Sequence, residues 1–210
     1  MTDNARTGAG HVLRALRPYQ WGKNTLVFLP LLLAQRWDEW AAWRAAALMF
    51  CAFSFAASGI YVVNDVLDRE ADRLHPSKKN RPFASGALSC RFGLVLGICL
   101  LAAALLLSGL MLPLGATLLI GLYGLLSLSY SLRLKRFVMV DVLVLSGLYA
   151  LRILGGGFAT RTPVSQWLLA FSGFFFLSLA FAKRYTELHR LSLENNSMKH
   201  AAGRGYRLQD

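Results

Sequence analysis

Residues Tyr61–Ser89 read YVVNDVLDREADRLHPSKKNRPFASGALS, a dense polar island between long apolar runs. If its first part is helical, Asn64, Asp68 and Asp72 fall at i, i+4 and i+8 and form one stripe about 12 Å long. Such a stripe presents its oxygens to a single target. Carboxylates in a row repel one another unless a cation sits among them, and an all-oxygen set suits Mg²⁺, which keeps waters and shares phosphate oxygens. Lys78, Lys79 and Arg81 follow, two point charges and a planar fork suited to phosphate oxygens the metal leaves uncovered. The island therefore reads as a metal–diphosphate site. The plainer alternative is a capped helix whose Asp68 and Asp72 make exposed ion pairs with Arg69 and Arg73.

The chain around the island is too apolar for a soluble globular domain. It is 55% hydrophobic and 16% charged, with mean hydropathy +0.43, against a usual charged share of about 25%. The net charge of +12 does not point to nucleic acid, because the basic residues gather between apolar runs instead of covering one soluble face. Cys51, Cys90 and Cys99 show neither pairing nor metal-ligand spacing and read as inert.

Six apolar runs are long enough to approach a bilayer crossing, at 24–36, 43–65, 92–110, 114–132, 138–158 and 166–182. The expected architecture is an all-α polytopic transmembrane bundle of about six helices, with a basic interfacial segment at 1–23, a membrane domain at 24–188 and a polar tail at 189–210. The first stretch has no apolar core of signal-peptide length, and His11–Trp21 reads as a basic surface segment with Tyr19 and Trp21 at headgroup depth. Six crossings place nineteen of the 23 lysines and arginines on one side. That side is expected to be cytoplasmic, which puts the island at the inner rim of a bacterial-type inner membrane, within reach of soluble phosphorylated substrates. Pro113 and Pro163 fall in outer turns, and Gly121 and Gly124 offer small surfaces for close helix contact.

A second polar cluster runs from Tyr130 to Asp141, YSLRLKRFVMVD. Asp141 lies about one turn inside an apolar run, where an ionisable group is costly and marks a candidate site; pairing with Lys135 or Arg136 is the plainer reading. Arg152 lies eleven residues further on, about 16 Å deeper. It is too far to pair with Asp141, so it must meet another polar group, a headgroup or a substrate phosphate. Gly155, Gly156 and Gly157 beyond it allow close backbone approach or a helix break. Lys23, near the mouth of the first run, and Lys183 and Arg184, at the end of the last, read equally as interfacial flanks and as substrate contacts.

NDVLDREAD followed by KKNRP resembles the first signature of the UbiA superfamily of intramembrane prenyltransferases, N-D-x-x-D-x-x-x-D with a basic R-P turn behind it. The resemblance extends from RPYQWGKN at Arg17 to KRYTEL at Lys183, and with YSLRLK and DVLVLSGLYALRILGG it is strongest to the phosphoribosyl-transferring branch. It implies that Asn64, Asp68 and Asp72 hold Mg²⁺ on a donor diphosphate and that Lys78 and Arg81 steady its oxygens. Tyr130, Lys135 and Asp141 would form the second half of the catalytic site.

The implied reaction moves a phosphoribosyl group from soluble phosphoribosyl diphosphate to a polyprenyl phosphate in the bilayer. Aromatic members of the superfamily carry a second aspartate pair spaced D-x-x-x-D, whereas here Asp141 is followed four residues later by Leu145. This departure favours phosphoribosyl transfer over the alternative, transfer of a polyprenyl group from its diphosphate to an aromatic acceptor. The family fold has nine transmembrane helices against six apolar runs here. The resemblance therefore also implies a truncated or split product, or further helices from a partner chain or a homo-oligomer, or else a truncated, non-catalytic lipid-phosphate-binding subunit.

Overall fold

The computed structural model describes residues 2–137 and 139–193; residues 194–210 of the expected polar tail lie outside the described residues. The elements are α1 (Thr2–Leu16), a 3₁₀ segment (Pro18–Phe28), α2 (Leu29–Leu33), α3 (Trp40–Leu67), α4 (Arg69–Leu74), α5 (Cys90–Met111), α6 (Leu114–Leu132), α7 (Val140–Thr160) and α8 (Gln166–Leu193). Five of them, α3, α5, α6, α7 and α8, are long and apolar enough to cross a membrane. The chain is an integral, multi-pass helical membrane protein.

The run expected at 24–36 is not a single α-helix. Arg17 adopts a left-handed conformation (φ 53°) ahead of Pro18, and the eleven residues from there to Phe28 wind as a 3₁₀ helix that the five residues of α2 continue. At about 2.0 Å per 3₁₀ residue and 1.5 Å per α residue, this stretch reaches about 30 Å. It runs antiparallel to α3: Trp21 Nε1 donates to Ser58 Oγ (3.0 Å), Asn24 Nδ2 to Ser54 Oγ (3.1 Å), and the Phe28 and Phe50 rings lie 6.0 Å apart. It is not one of the five helices long and apolar enough to cross a membrane. Trp21, expected at headgroup depth, is tied to α3 by its bond to Ser58.

Glycines set two of the helix contacts. A Cβ on Gly156 would overlap the Val27 carbonyl, so α7 can lie directly on the 3₁₀ backbone only because position 156 has no side chain. Here α7 continues unbroken to Thr160. The α3–α5 crossing closes on Gly59 and Gly97, where a Cβ on Gly59 would stand 2.8 Å from the Gly97 carbonyl oxygen. Gly121 and Gly124 do not make the close contact expected of them; a Cβ at either would meet nothing within 4 Å.

Connections at one end of the bundle build the site. Arg73 Nε donates to the Ala84 carbonyl (2.9 Å), and Phe83 is buried with Ala15 and Val62, so the basic loop folds back over the end of α3. At the other end, Arg36 donates to Thr160 O (2.9 Å) and Thr162 Oγ1 (2.6 Å) and pairs with Glu39, joining the α2–α3 connection to the end of α7.

Candidate active site

The continuous stripe expected over Asn64–Asp72 is broken at its middle. Helix α3 stops at Leu67, and Asp68 sits at the junction to α4 with φ −85° and ψ 5°, a sparsely allowed region that active-site residues often occupy. Its N–H still bonds to Asn64 O, and the Asp72 N–H to Asp68 O, both at 2.8 Å. Asn64 and Asp68 line a cavity of about 280 Å³ that Asp72 does not reach. Asp72 is buried and accepts from Arg81 Nη1 at 2.6 Å.

Arg81 is shared between carboxylates. Its Nη1 also lies 3.2 Å from Asp65 Oδ1, and Asp65 in turn accepts from Arg17 Nη2 at 2.7 and 3.0 Å. Asp65, 4% exposed, is therefore the hub that holds one arginine from the N-terminal segment and one from the basic loop against the end of α3. The Arg17 guanidinium also covers the Tyr61 ring at 5.1 Å. A stripe drawn at i, i+4 and i+8 passes over Asp65, the residue next to Asn64, and so leaves Arg17, which reads from sequence equally as an interfacial anchor and as a substrate contact, without its carboxylate partner.

The oxygen set at the cavity rim fits a hard cation. Asn64 donates through Nδ2 to Ser131 Oγ at 2.7 Å, which fixes the amide and leaves Oδ1 buried without a hydrogen-bond partner among the described residues. Asp68 is half exposed, and its one ion-pair partner among the described residues is Lys135 Nζ at 3.9 Å. Buried oxygens are rarely left unpaired. Mg²⁺ asks the protein for one or two oxygens and takes the rest from water and phosphate. Asn64 and Asp68 are thus the oxygens on the cavity wall that could hold it, whereas Asp72 is paired with Arg81. No cluster of three or more His, Cys, Asp or Glu suited to a metal occurs among the described residues.

The second polar cluster divides in the same way. Tyr130 and Lys135 line the cavity, but Asp141 and Arg184 do not. Asp141 is fully buried, accepts from Tyr130 Oη at 2.7 Å and from Arg184 Nη2 at 3.0 Å, and also accepts from Arg184 Nε. Neither expected partner, Lys135 or Arg136, reaches it. The Asp141–Arg184 pair ties α7 to α8, and Tyr130 adds α6. Lys183 is exposed and lies outside the cavity lining, whereas Lys23 and Lys78 are part of it. On the α7 side the wall carries Leu145 where a second aspartate would stand, then Leu148, Tyr149 and Arg152.

The cavity extends along α3 from Ala57 to Asp68, about 16 Å. Its deep end holds Arg152, 5% exposed, whose Nε donates to Asn24 Oδ1 (2.8 Å) and Nη2 to Tyr123 Oη (3.1 Å), while Nη1 donates to the Leu148 carbonyl. Six cationic side chains, Arg17, Lys23, Lys78, Arg81, Lys135 and Arg152, line the cavity against two carboxylates, Asp65 and Asp68. A low-dielectric pocket with this excess concentrates anions. The aromatic collar of Tyr61, Tyr123 and Tyr149 has no signature in the sequence beyond Tyr123 lying seven residues, two turns, before Tyr130.

A model of the UbiA prenyltransferase family matches residues 25–192. Decaprenyl-phosphate phosphoribosyltransferase of Mycobacterium tuberculosis is 39% identical over 186 residues, covering 85% of this chain and 60% of that protein. Nodulation protein NoeC of Azorhizobium caulinodans is 40% identical over 200 residues, covering 93% of this chain and 62% of that one. The chain thus spans 60 to 62% of the length of these two curated relatives. Among solved structures, a UbiA homologue from Archaeoglobus fulgidus bound to DMAPP and Mg²⁺ superimposes with a TM-score of 0.76 at 20% identity, covering 93% of this chain and 67% of that one, a likeness of fold. With a family match over most of its length and relatives near 40% identity, the chain belongs to the UbiA prenyltransferase family.

Proposed function

We propose that this chain carries the donor site of a Mg²⁺-assisted intramembrane transferase that moves a phosphoribosyl group from phosphoribosyl diphosphate to a polyprenyl phosphate. The site would open at the cytoplasmic face of a bacterial-type inner membrane. The observation that carries this reading is the pairing of an unsatisfied buried oxygen, Asn64 Oδ1, with the half-exposed Asp68 carboxylate at the mouth of a strongly cationic cavity. The name of the M. tuberculosis relative supports the phosphoribosyl donor. So does Leu145 on the α7 wall, which leaves the site without a second acidic pair.

Asn64 and Asp68 would hold the metal, which when bound neutralises charge on the leaving diphosphate. Lys78, Lys135 and Arg81 add positive charge around the same oxygens. Asp65 and Asp72 keep the Arg81 fork in place, so little reorganisation accompanies charge build-up. The C1–O bond to the diphosphate breaks with its electron pair leaving on oxygen, and a phosphate oxygen of the lipid forms the new bond to C1. Ala57, Ile60, Leu145 and Leu148 line the cavity and keep competing water from that carbon.

The test is transfer itself. Purified protein with Mg²⁺, polyprenyl phosphate and radiolabelled phosphoribosyl diphosphate should yield a labelled lipid, and Asp68→Asn should abolish it. Labelled product that survives Asp68→Asn, or turnover only with a prenyl diphosphate and an aromatic acid, would overturn the reading.

A further inference from the structure

Arg152 is a buried cation with no carboxylate within ion-pairing distance among the described residues. Its three hydrogen-bond acceptors, Asn24 Oδ1, Tyr123 Oη and Leu148 O, are all neutral. Its guanidinium lies 4.9 Å from the Tyr123 ring centroid, 5.4 Å from that of Tyr149 and 6.0 Å from that of Phe53. Aromatic faces hold a cation without cancelling its charge. An arginine carries five N–H donors, so two remain without a protein acceptor.

Lys23 lines the same cavity and makes no ion pair among the described residues. Its charged neighbours include Arg152 and Lys183, both cationic. Lys23 is itself exposed, so the cavity places a solvent-reachable ammonium beside the buried Arg152, and like charges so gathered favour an anion between them. The deep end also stands well apart from the diphosphate rim: Tyr123, which bonds Arg152, precedes Ser131, which bonds Asn64, by eight residues of α6, about 12 Å.

From this we infer that Arg152 and Lys23 form a second anion site, separate from the Asn64–Asp68 rim, that takes a phosphate monoester. A planar fork beside a mobile ammonium suits the several oxygens and double charge of that group. The inference rests on the rim serving the diphosphate, as proposed above. The same chemistry is offered by a phosphate at the far end of the donor and by the headgroup of the lipid acceptor.

Binding without metal separates this site from the rim. Titration calorimetry on the detergent-purified protein in EDTA would use two probes, ribose 5-phosphate for the donor's own phosphate and farnesyl phosphate for the acceptor's headgroup. Wild type should bind at least one. Lys23→Gln and Arg152→Met should each weaken that binding roughly tenfold or more, Arg152→Lys should recover part of it, and Asp68→Asn should leave it within about twofold. The probe that responds identifies the source. Loss of binding with an unchanged thermal midpoint is something a purely structural arginine would not produce. If Arg152→Met does not fold, Lys23→Gln decides alone. Binding of neither probe to wild type, or binding indifferent to Lys23→Gln, overturns the second site. Mg²⁺-dependent binding of pyrophosphate that requires Asp68 would in that case still uphold the donor site.

Discussion

Arg17 Nη2 lies 2.7 and 3.0 Å from the two carboxylate oxygens of Asp65, and it reaches them from a left-handed backbone (φ 53°) directly before a proline. A non-glycine residue in that conformation is held there by its surroundings. Here the surroundings are the ion pair and the Tyr61 ring beneath it. The contact sits where α1 ends and the 3₁₀ segment begins, and it places a guanidinium on the cavity wall.

Removing the hub charge should therefore cost both stability and donor affinity. Asp65→Asn leaves Arg17 without its carboxylate and Arg81 with Asp72 alone, and it is expected to destabilise the protein by roughly 3 kcal/mol. Chemical denaturation in detergent measures this. In turnover assays the same variant should raise KM for the diphosphate donor more than it lowers kcat, because its role is to position Arg17 and Arg81.

Asp141 and Arg184 behave in this account as a structural tie, although both sit in motifs that suggested chemistry. Each is at most 3% exposed, and neither lines the cavity. Breaking a buried pair from one side should cost roughly 3–5 kcal/mol for Asp141→Asn or Arg184→Met, whereas Asp141→Leu with Arg184→Met should recover much of that loss. A double-mutant cycle by thermal denaturation checks it. Full loss of turnover in a variant that keeps its thermal midpoint would instead assign these residues to the reaction.

At the opposite end of the bundle, the hydrogen bond from Arg36 holds the Glu39 carboxyl below its ordinary range. A carboxyl lowered on folding contributes stability above its unfolded value and loses that contribution as pH falls through the folded one. Thermal midpoints should therefore drop more steeply on acidification for wild type than for Glu39→Gln, with the two curves converging below the folded value. Parallel curves would show that the pair contributes nothing.

Much of this was legible in the chain itself. Hydropathy marked the five long apolar helices within the six expected runs, and the i, i+4 spacing of Asn64 and Asp68 put both on one cavity wall. Three things were not legible. The run at 24–36 winds partly as a 3₁₀ helix, on which α7 can lie because Gly156 admits the Val27 carbonyl, a packing relation between residues far apart in sequence. Asp72 left the expected stripe because α3 ends at Leu67, so the i+8 residue turns to Arg81. Asp141 found Arg184, 43 residues away, over the nearer lysine and arginine. Local periodicity reports which face a side chain takes on a continuous helix, and it loses force where a helix stops or a partner comes from elsewhere.

The central claim is that Asn64 and Asp68, without Asp72, hold the metal on the donor diphosphate. Electron paramagnetic resonance of Mn²⁺, standing in for Mg²⁺, measured on the purified protein with pyrophosphate, tests it directly. Asn64→Ala and Asp68→Asn should each weaken Mn²⁺ binding by roughly tenfold or more, while Asp72→Asn should change it by less than about threefold. Asp72→Asn losing as much metal as Asp68→Asn, or Asn64→Ala binding like wild type, would contradict it.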